Sequence, residues 1–234
     1  MSTTIDAARP ALTMLSEDEG MFRDAVRDFA EAEITPRIAD MDAAQQMDSD
    51  LIDELFGMGL MAIEIPEDFG GSGLDFFTSV LVVEELSRVD PSVGVLVDVQ
   101  NTLVINAIKR WGTDEQKAHY FPRLASDTVG AYALSEAGSG SDAFALACRA
   151  TQDGDDWILE GQKLWITNAG QAGLFIVFAT VDPSAGYRGI TAFLVDADAP
   201  GFSVGKKEDK LGIRASSTCE IVLDGVRVGP EGVL

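Results

Sequence analysis

Apolar positions recur with two different periods along this chain. From Ser16 to about residue 127 they fall three and four apart, the spacing of a helix face. Phe22, Val26, Phe29 and Ala30 share one such face. Ser16 with Glu19 opens it in the form of a capping box, hydroxyl and carboxylate each meeting an orphan N–H. Pro36 disturbs the last turns of this helix. "SDLIDELFGMG" predicts a short second helix stopped by glycines, and "EIPEDFGGSGLD" a loop by its Pro and Gly content. "FFTSVLVVEELSR" (76–88) resumes the helical pattern. Asp90 and Pro91 then read as an N-cap with proline at the first helical position. The following helix carries Val93, Leu96, Val99, Leu103, Val104 and Ile108, an apolar stripe broad enough to imply deep burial. Thr113 with Gln116 makes a second capping box, opening "TDEQKAHYFPRLA".

Beyond residue 128 the period changes. "VGAYALS", "ALACRATQDG", "DWILEGQKLWIT", "GLFIVFATV", "GITAFLVDA" and "CEIVLDGVRV" are short, rich in β-formers and separated by turn signals. "QDGDDW" joins two of them as a tight hairpin does. Strands at this spacing suggest a sandwich or barrel. The expected organisation is α+β and multi-domain: a flexible N-terminus (1–15), an all-α domain (16–128) and a β-sandwich or barrel-like domain (129–234).

Composition narrows the function classes. The 234 residues hold 17 basic against 39 acidic side chains, a formal charge of −22. That field repels nucleic acid, and an anionic ligand must be held by local donors against it. The longest apolar runs, such as "GLFIVFATV", are too short to cross a bilayer. The start "MSTTIDAARPALTML" has no basic region followed by an apolar one, and a single Arg where a transit peptide has several. Cys148 and Cys219 offer neither a disulfide framework nor CxxC metal spacing. The expectation is a reduced, cytoplasmic protein without structural zinc.

Candidate chemistry gathers at "YALSEAGSGSD" (132–142), where a strand-like lead-in runs into a glutamate and then alternating Gly and Ser. Gly138, Gly140 and Ala143 fit the GxGxxG/A dinucleotide fingerprint, and Glu160 stands near the distance at which its acidic partner is expected. That fingerprint needs a helix opening at its end, and "AFALACRATQDGDDWILEG" reads instead as strand, turn, strand. Ser203 and Lys206 spell an SxxK without companion motifs. His119, the sole histidine, sits on a polar helix where a surface position is expected. A plain glycine turn, with Ser135 and Ser141 satisfying the backbone, is the competing account of 132–142.

The longer stretch "AYALSEAGSGSDAFA" resembles the first signature of the acyl-CoA dehydrogenase family, matching it at each defined position. "GQKLWITNAG", "KEDKLGIRASSTCEIVLDGVRV", "GLMAIEIPEDFGGSGLD" and "WGTDEQKAHYFPRLASDTVGAYALSE" resemble that family too, so the likeness runs from about residue 15 to the end. "ALSEAGSGSDAFALACRA" and "VDPSAGYRGITAFLVDADAPG" look closest to its short/branched-chain members.

The resemblance implies a helical domain and then a β domain, as the periods do. It implies FAD-dependent α,β-dehydrogenation of a short or branched-chain acyl-CoA to the 2-enoyl-CoA, with an electron-transfer flavoprotein as acceptor. Tyr132, Ala133, Leu134, Ser135, Glu136, Ala137, Gly138, Ser139, Gly140 and Ser141 would line the flavin, with the Leu134–Ser135 backbone and the Ser135 hydroxyl at its polar edge. The small residues Ala137, Gly138 and Gly140 would let the backbone come close. Trp165 would lie flat against the ring, Ile166 beside it, and the Thr167 hydroxyl near N5; Ser141 and Tyr187 would contact acyl-CoA. Arg214, Ser216 and the cluster Lys206, Lys207 and Lys210 are further polar candidates with no assigned partner.

In the family a third, helical-bundle domain follows, bearing the catalytic base and the oligomer contacts. This chain stops at "VRVGPEGVL", where that bundle is expected, so no catalytic residue is assigned and a truncated gene product is the expectation. The family's homo-oligomer would lose its contacts by that truncation. The alternatives are a half-subunit needing a separate helical partner and a non-catalytic flavin- or CoA-binding module.

Overall fold

The computed structural model describes residues 14–234; residues 1–13 of the expected flexible N-terminus lie outside the described residues. Helix α1 (Glu17–Phe29) starts on its capping box: the Glu19 N–H donates to Ser16 Oγ at 3.2 Å and the Ser16 N–H to Glu19 Oε2 at 2.6 Å. A π-helical segment (Ala30–Ile34) and a 3₁₀ turn (Thr35–Arg37) containing Pro36 follow. Then come α2 (Ile38–Ala44), α3 (Ser49–Gly57), and a loop with one 3₁₀ turn (Glu67–Phe69). Helix α4 (Phe76–Val89) leads to α5 (Pro91–Asp98), which starts on Asp90 as N-cap with Pro91 inside its first turn.

Helix α5 runs through a second π segment (Val99–Ile105) into α6 (Asn106–Trp111). The 21-residue run Pro91–Trp111 is long and apolar enough, by length and composition alone, to cross a membrane, although no uninterrupted apolar stretch of that length exists in the sequence. Its inner face is core here: Val93, Leu96, Val97, Val104, Ile105 and Ile108 are buried. Leu103 departs from the expected stripe and is 39% exposed. Leu103 lies within the π segment, whose wider turn carries it off the inward face. Helix α7 (Asp114–Ser126) opens on the Thr113–Gln116 capping box.

The β half is one curled, mixed sheet of seven strands: β1 (Val129–Ala133), β2 (Arg149–Asp153), β3 (Asp156–Thr167), β4 (Ala172–Thr180), β5 (Ile190–Asp196), β6 (Phe202–Lys207) and β7 (Thr218–Val228). The order is β1-β4-β2-β3-β7-β6, with β5 also on β4. β1 runs parallel to β4, while the β2–β3, β3–β7, β4–β5 and β6–β7 pairs are antiparallel. The sequence pattern did not mark β6. Its middle four residues are all exposed, and its apolar alternation, Phe202 and Val204, stops after three residues at Gly205-Lys206-Lys207, too short to announce a strand.

The two faces of the sheet have separate jobs. Ala131, Ala133, Phe175, Val177, Phe193, Ile221 and Leu223 fill its concave interior. Leu174, Ile176 and Leu194, of opposite parity, pack on Val104, Ile108, Phe121 and Leu124 of the helices. Buried amides bolt the layers together. Gln100 Oε1 accepts from the Gly130 N–H at 2.6 Å, and Asn168 Nδ2 donates to the Leu96 and Gly130 carbonyls at 3.1 Å each. An added Cβ on Gly130 would stand 2.6 Å from Val104 Cγ1, so β1 crosses the π segment at backbone distance.

Candidate functional site

The chain leaves β1 at Ala133, turns through 134–142, and comes to rest against the end of β3. Two bonds fix that contact: the Leu164 N–H donates to the Ser135 carbonyl at 2.9 Å, and Lys163 Nζ to the Leu134 carbonyl at 3.2 Å. The turn closes on itself, Glu136 and Ser139 exchanging both backbone hydrogen bonds at 3.0 and 3.1 Å. The Ser139 hydroxyl donates to the Asp142 carbonyl at 2.9 Å. Glu136 faces inward. Its carboxylate accepts from the Ala147 N–H (2.6 Å), the Cys148 N–H (3.0 Å) and Lys163 Nζ (2.6 Å), and the Lys163 side chain is wholly buried. Burial pushes the neighbouring Cys148 thiol up to about 11, with Lys163 opposing and Glu136 adding to that shift.

Trp165 stands beside this turn in an unusual state. The pairing of β3 with β7 shifts register between Lys163 and Ile166, and within that bulge Trp165 takes φ +59°. A bulky residue in the left-handed region is an outlier, and such strain concentrates at binding sites. The bulge turns Trp165 outward, 52% exposed, while Ile166 points into the β core. Thr167 follows at the strand end, half-buried.

The residues expected to line a cofactor therefore divide. Ala133 and Ile166 have core side chains, Glu136 and Ser139 are spent on internal bonds, and the Tyr132 ring packs on Phe178 at 4.9 Å in the helix–sheet layer, where burial raises its hydroxyl pKa. These can offer only backbone or a hydroxyl edge. Leu134, Ser135 and Thr167 stay partly open, and Ala137, Gly138, Gly140, Ser141 and Trp165 are exposed. Gly138 and Gly140 have no conformational reason within the chain: neither has a positive φ, and a Cβ on either would meet nothing within 4 Å. Among the described residues no acceptor meets the N–H groups of Ser135, Gly138, Gly140 or Ser141. Small size and free donors there leave room for something outside the chain.

Tyr187 joins the same rim. It is 57% exposed, its ring 5.6 Å from that of Phe144, with the Arg188 guanidinium 5.3 Å from its centroid. Phe144 closes the turn's far side and was not among the sequence candidates. An aromatic three residues past the Gly–Ser run was the available signal.

Other candidates lie elsewhere. Only a 3₁₀ turn (Ala143–Ala145) follows the glycines before β2, so no helix opens for a dinucleotide pyrophosphate. Arg214 pairs with Asp42 at 3.2 Å, Lys206 with Glu208 at 3.4 Å, and Lys207 Nζ donates to the Gln45 carbonyl. Lys210 Nζ donates to the buried Ser216's carbonyl at 2.7 Å. His119 is exposed on α7, its ring edge-on to Tyr120 at 4.7 Å.

Residues 16–128 match the family model "Acyl-CoA dehydrogenase, N-terminal domain", and residues 131–226 the "middle domain" of the same family. The "Probable short/branched chain specific acyl-CoA dehydrogenase" of Dictyostelium discoideum is 51% identical over 95% of this chain and 54% of its own length. The mitochondrial short/branched chain specific acyl-CoA dehydrogenase of Rattus norvegicus is 47% identical over 95% of this chain and 52% of its own. The chain thus spans about half the length of these curated relatives. Among solved structures, butyryl-CoA dehydrogenase from Megasphaera elsdenii superposes with a TM-score of 0.91 at 37% identity, covering 94% of this chain and 59% of that one. A glutaryl-CoA dehydrogenase from Mycobacterium smegmatis in complex with FADH2 gives 0.87 at 34% identity, over 94% and 55%. The likeness covers both halves of the fold, and the chain belongs to the acyl-CoA dehydrogenase family, of which it carries the N-terminal and middle domains.

Proposed function

We propose that this chain is the flavin- and thioester-binding half of an FAD-dependent acyl-CoA dehydrogenase acting on a short or branched-chain acyl-CoA. The observation that carries the reading is Trp165, held outward at φ +59° directly beside the 134–141 turn. The open donors and unobstructed glycines of that turn fit a flat ring whose polar edge presents hydrogen-bond acceptors.

FAD, when bound, supplies the acceptor for the hydride that leaves Cβ. The chain's own residues hold and polarise. Trp165 offers a flat apolar surface, and the Ser135 and Thr167 hydroxyls, with the free N–H groups of the turn, supply donors where negative charge would gather. Ser141 and the exposed Tyr187 are assigned to the CoA portion, with Phe144 beside them. No residue of this chain is assigned as the base that removes the α-proton; that role belongs to family length this chain does not span. An electron-transfer flavoprotein is the proposed acceptor, supported by a similar chain (39% identity, TM-score 0.91) in the structure described as "Electron transferring flavoprotein of Acidaminococcus fermentans: Towards a mechanism of flavin-based electron bifurcation". A cytoplasmic location suits the two free thiols.

Titration with FAD tests this. The chain should quench flavin fluorescence on binding, a branched short-chain acyl-CoA should then perturb the visible flavin spectrum, and turnover should be absent. A chain that leaves FAD fluorescence unchanged at high protein concentration overturns the flavin reading. Turnover by the chain alone overturns the assignment of the base.

A further inference from the structure

The buried Lys163 has a task that ion pairing with Glu136 does not exhaust. Its Nζ reaches two acceptors, Glu136 Oε1 at 2.6 Å and the Leu134 carbonyl at 3.2 Å. That carbonyl belongs to the peptide unit whose other end is the Ser135 N–H. In a trans peptide the two groups point to opposite sides, and no cis bond occurs among the described residues. With the carbonyl held by Lys163 below the turn, the N–H faces away from it, and among the described residues nothing accepts from it.

We infer that Lys163 is a positioning residue that polarises the Leu134–Ser135 peptide, making the Ser135 N–H a strengthened donor toward the polar edge of the bound flavin. The inference rests on the flavin reading above. A cation on a peptide oxygen draws electron density from the amide nitrogen, so the N–H at the far end donates more strongly; hydrogen bonds in such a chain reinforce one another in a low-dielectric setting. The side chain of Lys163 is fully buried, so water does not dilute the effect. Glu136 balances the charge, and its own contacts hold it in place: two backbone N–H groups at 147 and 148 fix the carboxylate whether or not the lysine is present. The pair thus tunes the site through one peptide bond without touching the ligand.

A merely structural pair and a polarising lysine differ in sign. If the pair only stiffened the turn, removing either partner would weaken flavin binding alike and move its reduction potential the same way. If Lys163 polarises the peptide, the two single variants oppose each other. Lys163→Met removes the cation and leaves the carboxylate, disfavouring the reduced, more negative flavin. Glu136→Gln leaves the lysine on the Leu134 carbonyl with its charge uncompensated, favouring the reduced form.

The experiment measures the two-electron midpoint potential of the FAD-loaded chain for wild type, Lys163→Met, Glu136→Gln and the charge-neutral double variant. It also measures the Leu134 carbonyl ¹³C and Ser135 amide ¹⁵N resonances of the same proteins without flavin. Lys163→Met should shift the equilibrium about tenfold toward the oxidised flavin, lowering the midpoint potential by close to 30 mV for a two-electron couple. Glu136→Gln should raise the potential, and the double variant, which keeps volume without a lone buried charge, should fall below wild type. Both resonances should move upfield in the two proteins lacking Lys163 and not in Glu136→Gln. Shifts of potential in one direction for both single variants, or resonances indifferent to Lys163, overturn the inference. Failure of the wild type to bind FAD counts against the flavin reading instead, and the resonances still decide whether Lys163 polarises the peptide.

Discussion

Trp165 shows how a single residue trades stability for a surface. At φ +59° its Cβ crowds the backbone, and strain of this kind costs about 1–3 kcal/mol. Its indole is half in solvent, so little burial offsets that cost. Trp165→Gly should therefore leave the melting temperature of the flavin-free chain unchanged or raise it, while weakening FAD affinity about fivefold, the loss of one aromatic contact worth roughly 1 kcal/mol. Thermal melts by circular dichroism and a fluorescence titration measure the two effects. A lower melting temperature with unaltered affinity would mean that the side chain serves packing alone. Residue by residue, what the sequence discloses depends on distance along the chain. Ser16–Glu19 and Thr113–Gln116 were legible because each cap is complete within four residues. The family signature likewise singled out Trp165 and Thr167 as candidates. The partnership of Glu136 with Lys163, 27 positions apart, was not legible, since neither a signature nor a period reports which way a carboxylate turns. Nor was the Trp165 φ, which a register shift between two strands imposes.

Among the elements, the long helix and β1 depend on each other. Its π segment frees carbonyls on the preceding turn, and side chains take them up: Leu96 accepts from Asn168 (3.1 Å), Val97 from Asn101 (3.0 Å) and Asp98 from Thr102 (2.9 Å). Gln100 is the central bolt, with three bonds to Leu124, Thr128 and Gly130 across two other elements. Gln100→Leu would keep the volume and strand those buried groups, so it should cost about 3 kcal/mol. Gly130→Ala should cost about 1–3 kcal/mol by overpacking, because its Cβ meets Val104. Urea unfolding measures both. The two changes share a contact region, so the double variant should lose less than the sum; strict additivity would mean that the bolt and the close crossing act independently. The helical and β halves were readable from their periods because each buries one regular face. Leu103 and β6 escaped for opposite reasons: a π turn rotated an apolar residue outward, and a strand on the sheet's margin carries an alternation of only Phe202 and Val204 before it turns polar.

For the whole molecule, charge sets the response to conditions. A formal charge of −22 makes self-repulsion a general burden on the compact state. Added salt screens exposed charges beyond about 10 Å at 0.1 M and reaches buried pairs much less. The surface repulsion should therefore fade faster than pairs such as Arg27–Glu85, whose carboxylate is 5% exposed. The melting temperature at pH 7 is thus expected to rise from low salt to about 0.3 M, where exposed charges are largely screened. Acid acts through a narrower set of groups. The Arg27 hydrogen bond, helped by the charges of Arg27 and Arg88 and opposed by burial, holds the Glu85 carboxyl below its ordinary value of 4.5. A carboxyl depressed on folding binds protons more readily in the unfolded chain. Its contribution is complete above its ordinary range and is lost as pH falls through the folded value. Arg27→Met should accordingly destabilise the chain clearly at pH 7, and the deficit should shrink as pH falls below about 4.5, where unfolded glutamates take up protons. Melts of both proteins across this range measure the deficit. A melting temperature that drops with added salt would show that ion pairs and not net self-repulsion govern the salt response, and a deficit constant down to acid pH would show that Arg27 acts by packing and not through the Glu85 carboxylate.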